Sequence, residues 1–173
     1  MMPIPVRFGA LLFDFDGVLV ETEYAGNKHI ADYLTGNGYP TTAQDSMDQF
    51  MGLSGDAFVA AIERWIGRRL PDDFAAARGA ENARAIRDGV DTVAGAIAFV
   101  RALPADLPRA IVSSSSTEWI RAHLNHIGLA DAFGAHIYSG KEHVARGKPS
   151  PDLYLHAADR LGVPITDCAI LED

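Results

Sequence analysis

The chain has 173 residues, 48% of them hydrophobic, which is the length of one domain or of a domain carrying an insertion. Its 15 Lys and Arg against 23 Asp and Glu give a net charge of −8, which argues against a nucleic-acid binder, and no stretch reaches the roughly 18 apolar residues of a membrane span. The single cysteine, Cys168, can form no internal disulfide and points to a reducing compartment, the cytoplasm.

Met1 to Arg7 lacks the pattern of a signal peptide. The apolar residues of Gly9–Phe15 predict a buried strand that drives into Asp14-Phe15-Asp16-Gly17. Carboxylates at the end of a buried strand are costly unless a cation or a reaction uses them. If the strand persists, Asp14 and Asp16 project to one side, and Gly17 permits a sharp departure of the chain.

From Thr22 to Asp88 apolar residues recur at helical spacing, with helices expected over Glu23–Asn37, Thr42–Met51, Ser54–Gly67 and Asp72–Asp88. Gly36-Asn37-Gly38-Tyr39-Pro40 separates the first two. Thr42 with Asp45 three residues on reads as a capping arrangement. After Val90, strand and helix alternate. A helix is expected over Ala94–Leu103 and a strand over Arg109–Val112, which runs into Ser113-Ser114-Ser115-Ser116. A helix over Thr117–Ile127, a strand over Ala135–Tyr138, a helix opened by Ser150-Pro151 and closed by Gly162, and a strand over Cys168–Leu171 complete the series. No internal repeat is present. This order predicts an α/β fold: a Rossmann-like parallel sheet with helices on both faces and an inserted α-helical unit. The expected division is 1–20 and 91–173 for the core and 21–90 for the helical cap. Asp14, Asp16, Ser113 and Asp173 then lie at the C-terminal ends of strands, where open parallel sheets bind ligands.

Carboxylates from two strands form a hard oxygen site of the kind Mg²⁺ prefers, and a serine hydroxyl and a lysine suit phosphate oxygens. Lys148, in Gly147-Lys148-Pro149-Ser150-Pro151-Asp152, is the candidate lysine. Asp14-Phe15-Asp16-Gly17-Val18-Leu19-Val20-Glu21-Thr22-Glu23 resembles the first motif of the haloacid dehalogenase superfamily. Ser113 resembles its second, the Lys148 segment its third, and Ile170-Leu171-Glu172-Asp173 the start of its fourth. The order and spacing are similar to the branch that contains β-phosphoglucomutase and many small-molecule phosphatases, with a helical cap between the first two motifs.

The resemblance implies a phosphoric monoester hydrolase, an Mg²⁺-dependent phosphatase acting on a small phosphorylated metabolite such as a sugar phosphate. Asp14 is the expected nucleophile, forming an aspartyl-phosphate, and Asp16 the general acid and base. Asp14, the backbone carbonyl of Asp16, Asp173 and the nearby Glu172 are the expected metal ligands. Ser113 and Lys148 are the expected phosphate contacts, with Ser114 beside Ser113 because a run of four serines leaves the register open by one. Asp16 favours phosphate-ester chemistry over dehalogenation. Gly26 and Gly55 stand where mutases carry a histidine and an arginine, so a sugar phosphomutase is the alternative enzyme. A phospho-receiver or a non-catalytic fragment is the alternative outside enzymes, against which the long helical insertion argues. The family continues past its fourth motif whereas this chain stops at Asp173, so the C-terminal part of the core is expected to be missing. Acidity alone leaves the oligomeric state open.

Among other conspicuous residues, His123, His126, His136, His143 and His156 share no metal-ligand spacing. His29 is expected to be packed or solvated. Trp65 and Trp119 are expected in the core, Cys168 in strand packing, and Arg64, Arg68, Arg69, Arg84 and Arg87 on a solvated face or toward a substrate.

Overall fold

The structure is a computed structural model that describes residues 8–53 and 55–173. The expectation at Met1–Arg7 and the expected start of a helix at Ser54 lie outside the described residues. The chain divides into two compact units: the described residues through Glu21 together with Asp91–Asp173, and Thr22–Val90.

The first unit is built on four parallel strands, β1 (Ala10–Phe13), β2 (Arg109–Ser113), β3 (Ile137–Ser139) and β4 (Cys168–Leu171), in the order β3-β2-β1-β4. Parallel pairing requires crossovers, and here helices supply them. They are α5 (Ala96–Ala102), α6 (Thr117–His126), α7 (Ala130–Phe133) and α8 (Asp152–Leu161), with a short 3-10 turn at Ile165–Asp167 before β4. Alternation along the strands covers both faces. Leu12, Ala110, Val112 and Tyr138 pack with Leu153 and Ala157 of α8. On the other face Phe13 meets Phe99 of α5 at 6.2 Å and Phe133 of α7 edge-on at 5.5 Å. Fully buried side chains such as Leu12, Phe13 and Leu153 each contribute on the order of 1.5–3 kcal/mol relative to leaving them in water. At the other end of β2 from the serines, the buried Arg109 guanidinium donates to the carbonyls of Val100, Pro104 and Leu107. The Val100 carbonyl lies in the last turn of α5, whose carbonyls a helix terminus leaves without an intrahelical partner, and the other two lie in the connection to β2.

The second unit is helical: α1 (Thr22–Gly36), α2 (Ala43–Phe50), α3 (Gly55–Ile66) and α4 (Phe74–Asp88). Its core is Ile30, Leu34, Phe50, Ala61, Ile62 and Phe74. The capping box is present at α2: the Asp45 N–H donates to Thr42 Oγ1 at 3.0 Å and the Thr42 N–H to Asp45 Oδ2 at 2.8 Å. A buried polar bond, Ser46 Oγ to Asn27 Oδ1 at 2.8 Å, joins α2 to α1.

Several expectations need correction. The first strand ends at Phe13, two residues early, because the chain turns back on itself: Leu19 and Val20 both donate to the Phe15 carbonyl, and Gly17 donates to that of Val20. Ser150 does not cap α8; its hydroxyl is captured by the Asp152 carboxylate at 2.8 Å, and the helix starts at Asp152. Trp65 is not a core residue: it is 39% exposed and its indole N–H donates to Thr41 Oγ1 at 3.0 Å. Arg69, Arg84 and Arg87, by contrast, lie on a solvated face as expected, paired with Asp72, Glu81 and Asp88. The four-residue α7 was not expected, since it is too short to show a period.

Candidate active site

Parallel register brings the working residues together. Phe13 stands opposite Ile111 of β2 and Leu171 of β4, so the residues that follow all three strands leave the sheet at one end. The chain order reverses here, with β2 and β3 on one side of β1 and β4 on the other, which is where an open parallel sheet forms a ligand crevice. The backbone follows the sheet one step further, as the Asp14 N–H donates to the Leu171 carbonyl at 2.9 Å.

Asp14 faces the β4 side. Its Oδ1 accepts the Phe15 N–H at 2.7 Å and lies 3.0 Å from Lys148 Nζ. Lys148 also donates to Glu172 Oε1 at 2.7 Å, and its ammonium sits 5.3 Å from the centre of the Tyr154 ring. The Tyr154 hydroxyl donates to the same Glu172 oxygen. Burial pushes the Asp14 carboxyl up to about 6, against the opposing pull of Lys148. Burial also works against Glu172, but bonds from Lys148 and Tyr154 outweigh it and hold that carboxyl below its ordinary value. For Lys148 the burial penalty is outweighed by Glu172 and Asp14, and its proton is held more tightly than usual.

Asp14, Glu172 and Asp173 each bring a carboxylate oxygen to within 4.8 Å of the other two. Gly17 makes room for this trio. It has φ +78°, and a Cβ there would stand 2.6 Å from Asp173 Oδ2. Three clustered carboxylates and a cradle open only to glycine suit a small hard cation. The Asp16 carboxylate is outside the cluster, so its expected contribution to a metal is confined to its backbone carbonyl.

Asp16 faces the β2 side, so the two aspartates diverge instead of projecting together. Its Oδ2 accepts Ser115 Oγ at 2.6 Å and has Ser113 Oγ at 3.4 Å; its Oδ1 accepts the Trp119 indole N–H at 3.2 Å. Ser113 is buried at the end of β2, and its hydroxyl also accepts the Ser115 N–H at 3.0 Å. Ser114 is exposed. Ser115 and Trp119 were not among the expected site residues. A donor-bearing aromatic in the first turn of a helix that follows a strand-end serine loop was the available signal.

These elements recur in known proteins. A family model described as haloacid dehalogenase-like hydrolase matches residues 8–173. The chain belongs to this family. This haloacid dehalogenase-like hydrolase is 30% identical to hexitol phosphatase A of Escherichia coli strain K12 over 97% of its own length and 76% of that protein. It is 28% identical to fructose-1-phosphate phosphatase YqaB of the same strain, over 96% of its own length and 87% of that protein. Among solved structures, a family hydrolase from Deinococcus radiodurans R1, with bound phosphate and sodium, matches with TM-score 0.84 and 34% identity. That match covers 97% of this chain and 73% of the other. Among the described residues no helix is long and apolar enough to cross a membrane.

Proposed function

We propose that this hydrolase is an Mg²⁺-dependent phosphatase of a small phosphorylated metabolite, a sugar phosphate. The observation that carries the reading is the separation of two neighbouring aspartates: Asp14 beside Lys148 and two further carboxylates, Asp16 among serine hydroxyls and an indole. Two carboxylates in different surroundings can take different roles. The resemblance to hexitol and fructose-1-phosphate phosphatases supports the substrate class.

In this reading Asp14 attacks the phosphorus and forms an aspartyl-phosphate as the ester P–O bond breaks. Asp16 gives its proton to the departing sugar oxygen, then takes one from the water that hydrolyses the aspartyl-phosphate. Lys148 and Ser113 orient the phosphoryl oxygens and balance their charge. Asp14, Asp173 and Glu172, with the Asp16 carbonyl, would hold Mg²⁺, which when bound offsets the negative charge of the phosphoryl group. The single cysteine supports action in the cytoplasm.

The test is phosphate release from a panel of sugar phosphates with and without Mg²⁺, on the native protein and on Asp14→Asn. Metal-dependent release by the native protein alone is expected. Turnover by Asp14→Asn at the native rate would overturn the assignment. Isomer formation in place of phosphate release would make the protein a mutase.

A further inference from the structure

We propose that Trp119 is a positioning residue that anchors Asp16 through its Oδ1, leaving Oδ2 as the oxygen that carries the catalytic proton. The inference rests on the reading of Asp16 as general acid and base, and adds which atom does that work and what holds it.

The two oxygens of Asp16 have chemically different partners. An indole N–H is a donor only, so the oxygen it faces remains an acceptor throughout. That oxygen is Oδ1, at 3.2 Å. A serine hydroxyl both donates and accepts, so it can turn when its partner gains or loses a proton. Serine hydroxyls are what Oδ2 meets, Ser115 at 2.6 Å and Ser113 at 3.4 Å. In the transfer step the Oδ2–H bond breaks and the proton goes to the ester oxygen. That oxygen receives the electron pair of the breaking P–O bond, while Asp14 forms the new bond to phosphorus. Asp16 is left ionised, with Trp119 still on Oδ1, and Oδ2 takes the proton back from the attacking water.

Trp119 is itself well held. It lies in the first turn of α6, where its backbone N–H donates to the capping Ser116 hydroxyl at 3.3 Å. One turn on, the buried His123 ring lies against the indole with centroids 4.1 Å apart. His123 Nδ1 meets the Trp119 carbonyl at 2.8 Å, which requires a hydrogen on Nδ1 because a carbonyl only accepts. Among the described residues the buried His123 Nε2 has no hydrogen-bond partner, so this histidine serves as a packing platform beneath the indole. Phe15, between the two aspartates in sequence, closes on the same ring edge-on at 6.4 Å.

The test uses Trp119→Phe, which keeps a ring against His123 and deletes the N–H. The reading is kcat/KM, which reports only through departure of the leaving group, for two esters. One is the sugar phosphate turned over best, whose alkoxide needs a proton; the other is p-nitrophenyl phosphate, whose phenolate leaves without one. A lost hydrogen bond to a charged group predicts about a tenfold fall for the sugar phosphate. The fall for p-nitrophenyl phosphate is expected to stay within about twofold, since that ester draws little on the acid. A purely structural role would lower both alike, and that result, or no change in either, overturns the proposal. Asp16→Asn is the control: if it does not distinguish the two esters, the acid assignment fails and the proposal falls with it. If Trp119→Phe folds poorly, 3-benzothienylalanine at position 119, which replaces the N–H by sulfur at nearly the same ring shape, carries the same expectations.

Discussion

Gly17→Ala tests the cradle for the acidic trio with one methyl group. The backbone there has φ +78°, a region that costs an L-residue about 1–2 kcal/mol. For a chain of this size that corresponds to a fall in Tm of roughly 2–8 °C. The added Cβ would also stand 2.6 Å from Asp173 Oδ2 and 2.9 Å from its Cγ. Asp173 is exposed and its side chain can swing aside, so the overlap is relieved by moving the carboxylate out of the trio. Losing one charged contact of about 1.5–3 kcal/mol lowers affinity for a divalent cation roughly 10- to 150-fold. The two effects separate in a double-mutant cycle with Asp173→Ala, read by Mg²⁺ titration of the thermal transition. In the Asp173→Ala background Gly17→Ala is expected to keep its thermal cost and to lose its effect on Mg²⁺. Additive losses of affinity, or unchanged affinity in the single variant, would refute the argument from the cradle.

Leu153→Ala, which removes a fully buried side chain packed against Leu12, Ala110 and Val112, is expected to cost about 2–5 kcal/mol in urea unfolding. Arg109→Met leaves three carbonyls without their guanidinium donor and is expected to cost roughly 3 kcal/mol, with m unchanged. Thr42→Ala removes the capping box of α2 and is expected to destabilise the helical unit by about 1 kcal/mol, seen as faster amide exchange in α2. With a chelator present, Asp14 is expected to add stability as pH falls from about 6 to 4.5, read as the difference between the native protein and Asp14→Asn, because His29, held below its ordinary value by burial, works in the opposite sense in the same range. Burial raises folded Asp14 from 3.8 to about 6, so the folded chain takes up the extra proton first. Below 4.5 the depressed Glu172 begins to work the other way. Asp14→Asn is expected to lack this contribution, and the same pH dependence in that variant would count against the assignment.

The end of β4 was legible because Glu172 interrupts the apolar run after Leu171, and that of β2 was legible to within one residue at Ser113; the end of β1 was not, since the strand was expected to continue through Asp14 to Phe15. Asp45 three residues after Thr42 sufficed for the start of α2, since a capping box is a local device. Side-chain directions beyond the strands were not legible. Asp14 and Asp16 diverge because the strand stops at Phe13 and the chain folds back on the Phe15 carbonyl, and period-two alternation no longer applies. Ser115, not Ser114, reaches Asp16 because the loop after β2 turns into the cap of α6. Ser150 missed its capping role because Asp152, two residues away, offers its hydroxyl a charged acceptor. Trp119 reads as an apolar helix position until the loop after β1 supplies the Asp16 carboxylate to its indole N–H.

The central place of β1 also bears on how the protein is made. Leu11 pairs with Arg109, and Ala10 with Cys168, so one of the first strands synthesised finds its second neighbour only when β4 emerges. Sheets closed by partners so distant in the chain form slowly, because loop closure precedes the contacts that reward it. The helices between Thr22 and Val90 draw on nearby residues and can form while the ribosome is still extending the chain. Asp14 is thus translated long before Glu172 and Asp173, and a nascent chain halted short of β4 carries Asp14 without the two carboxylates that cluster with it. The acidic cluster waits for the sheet to close.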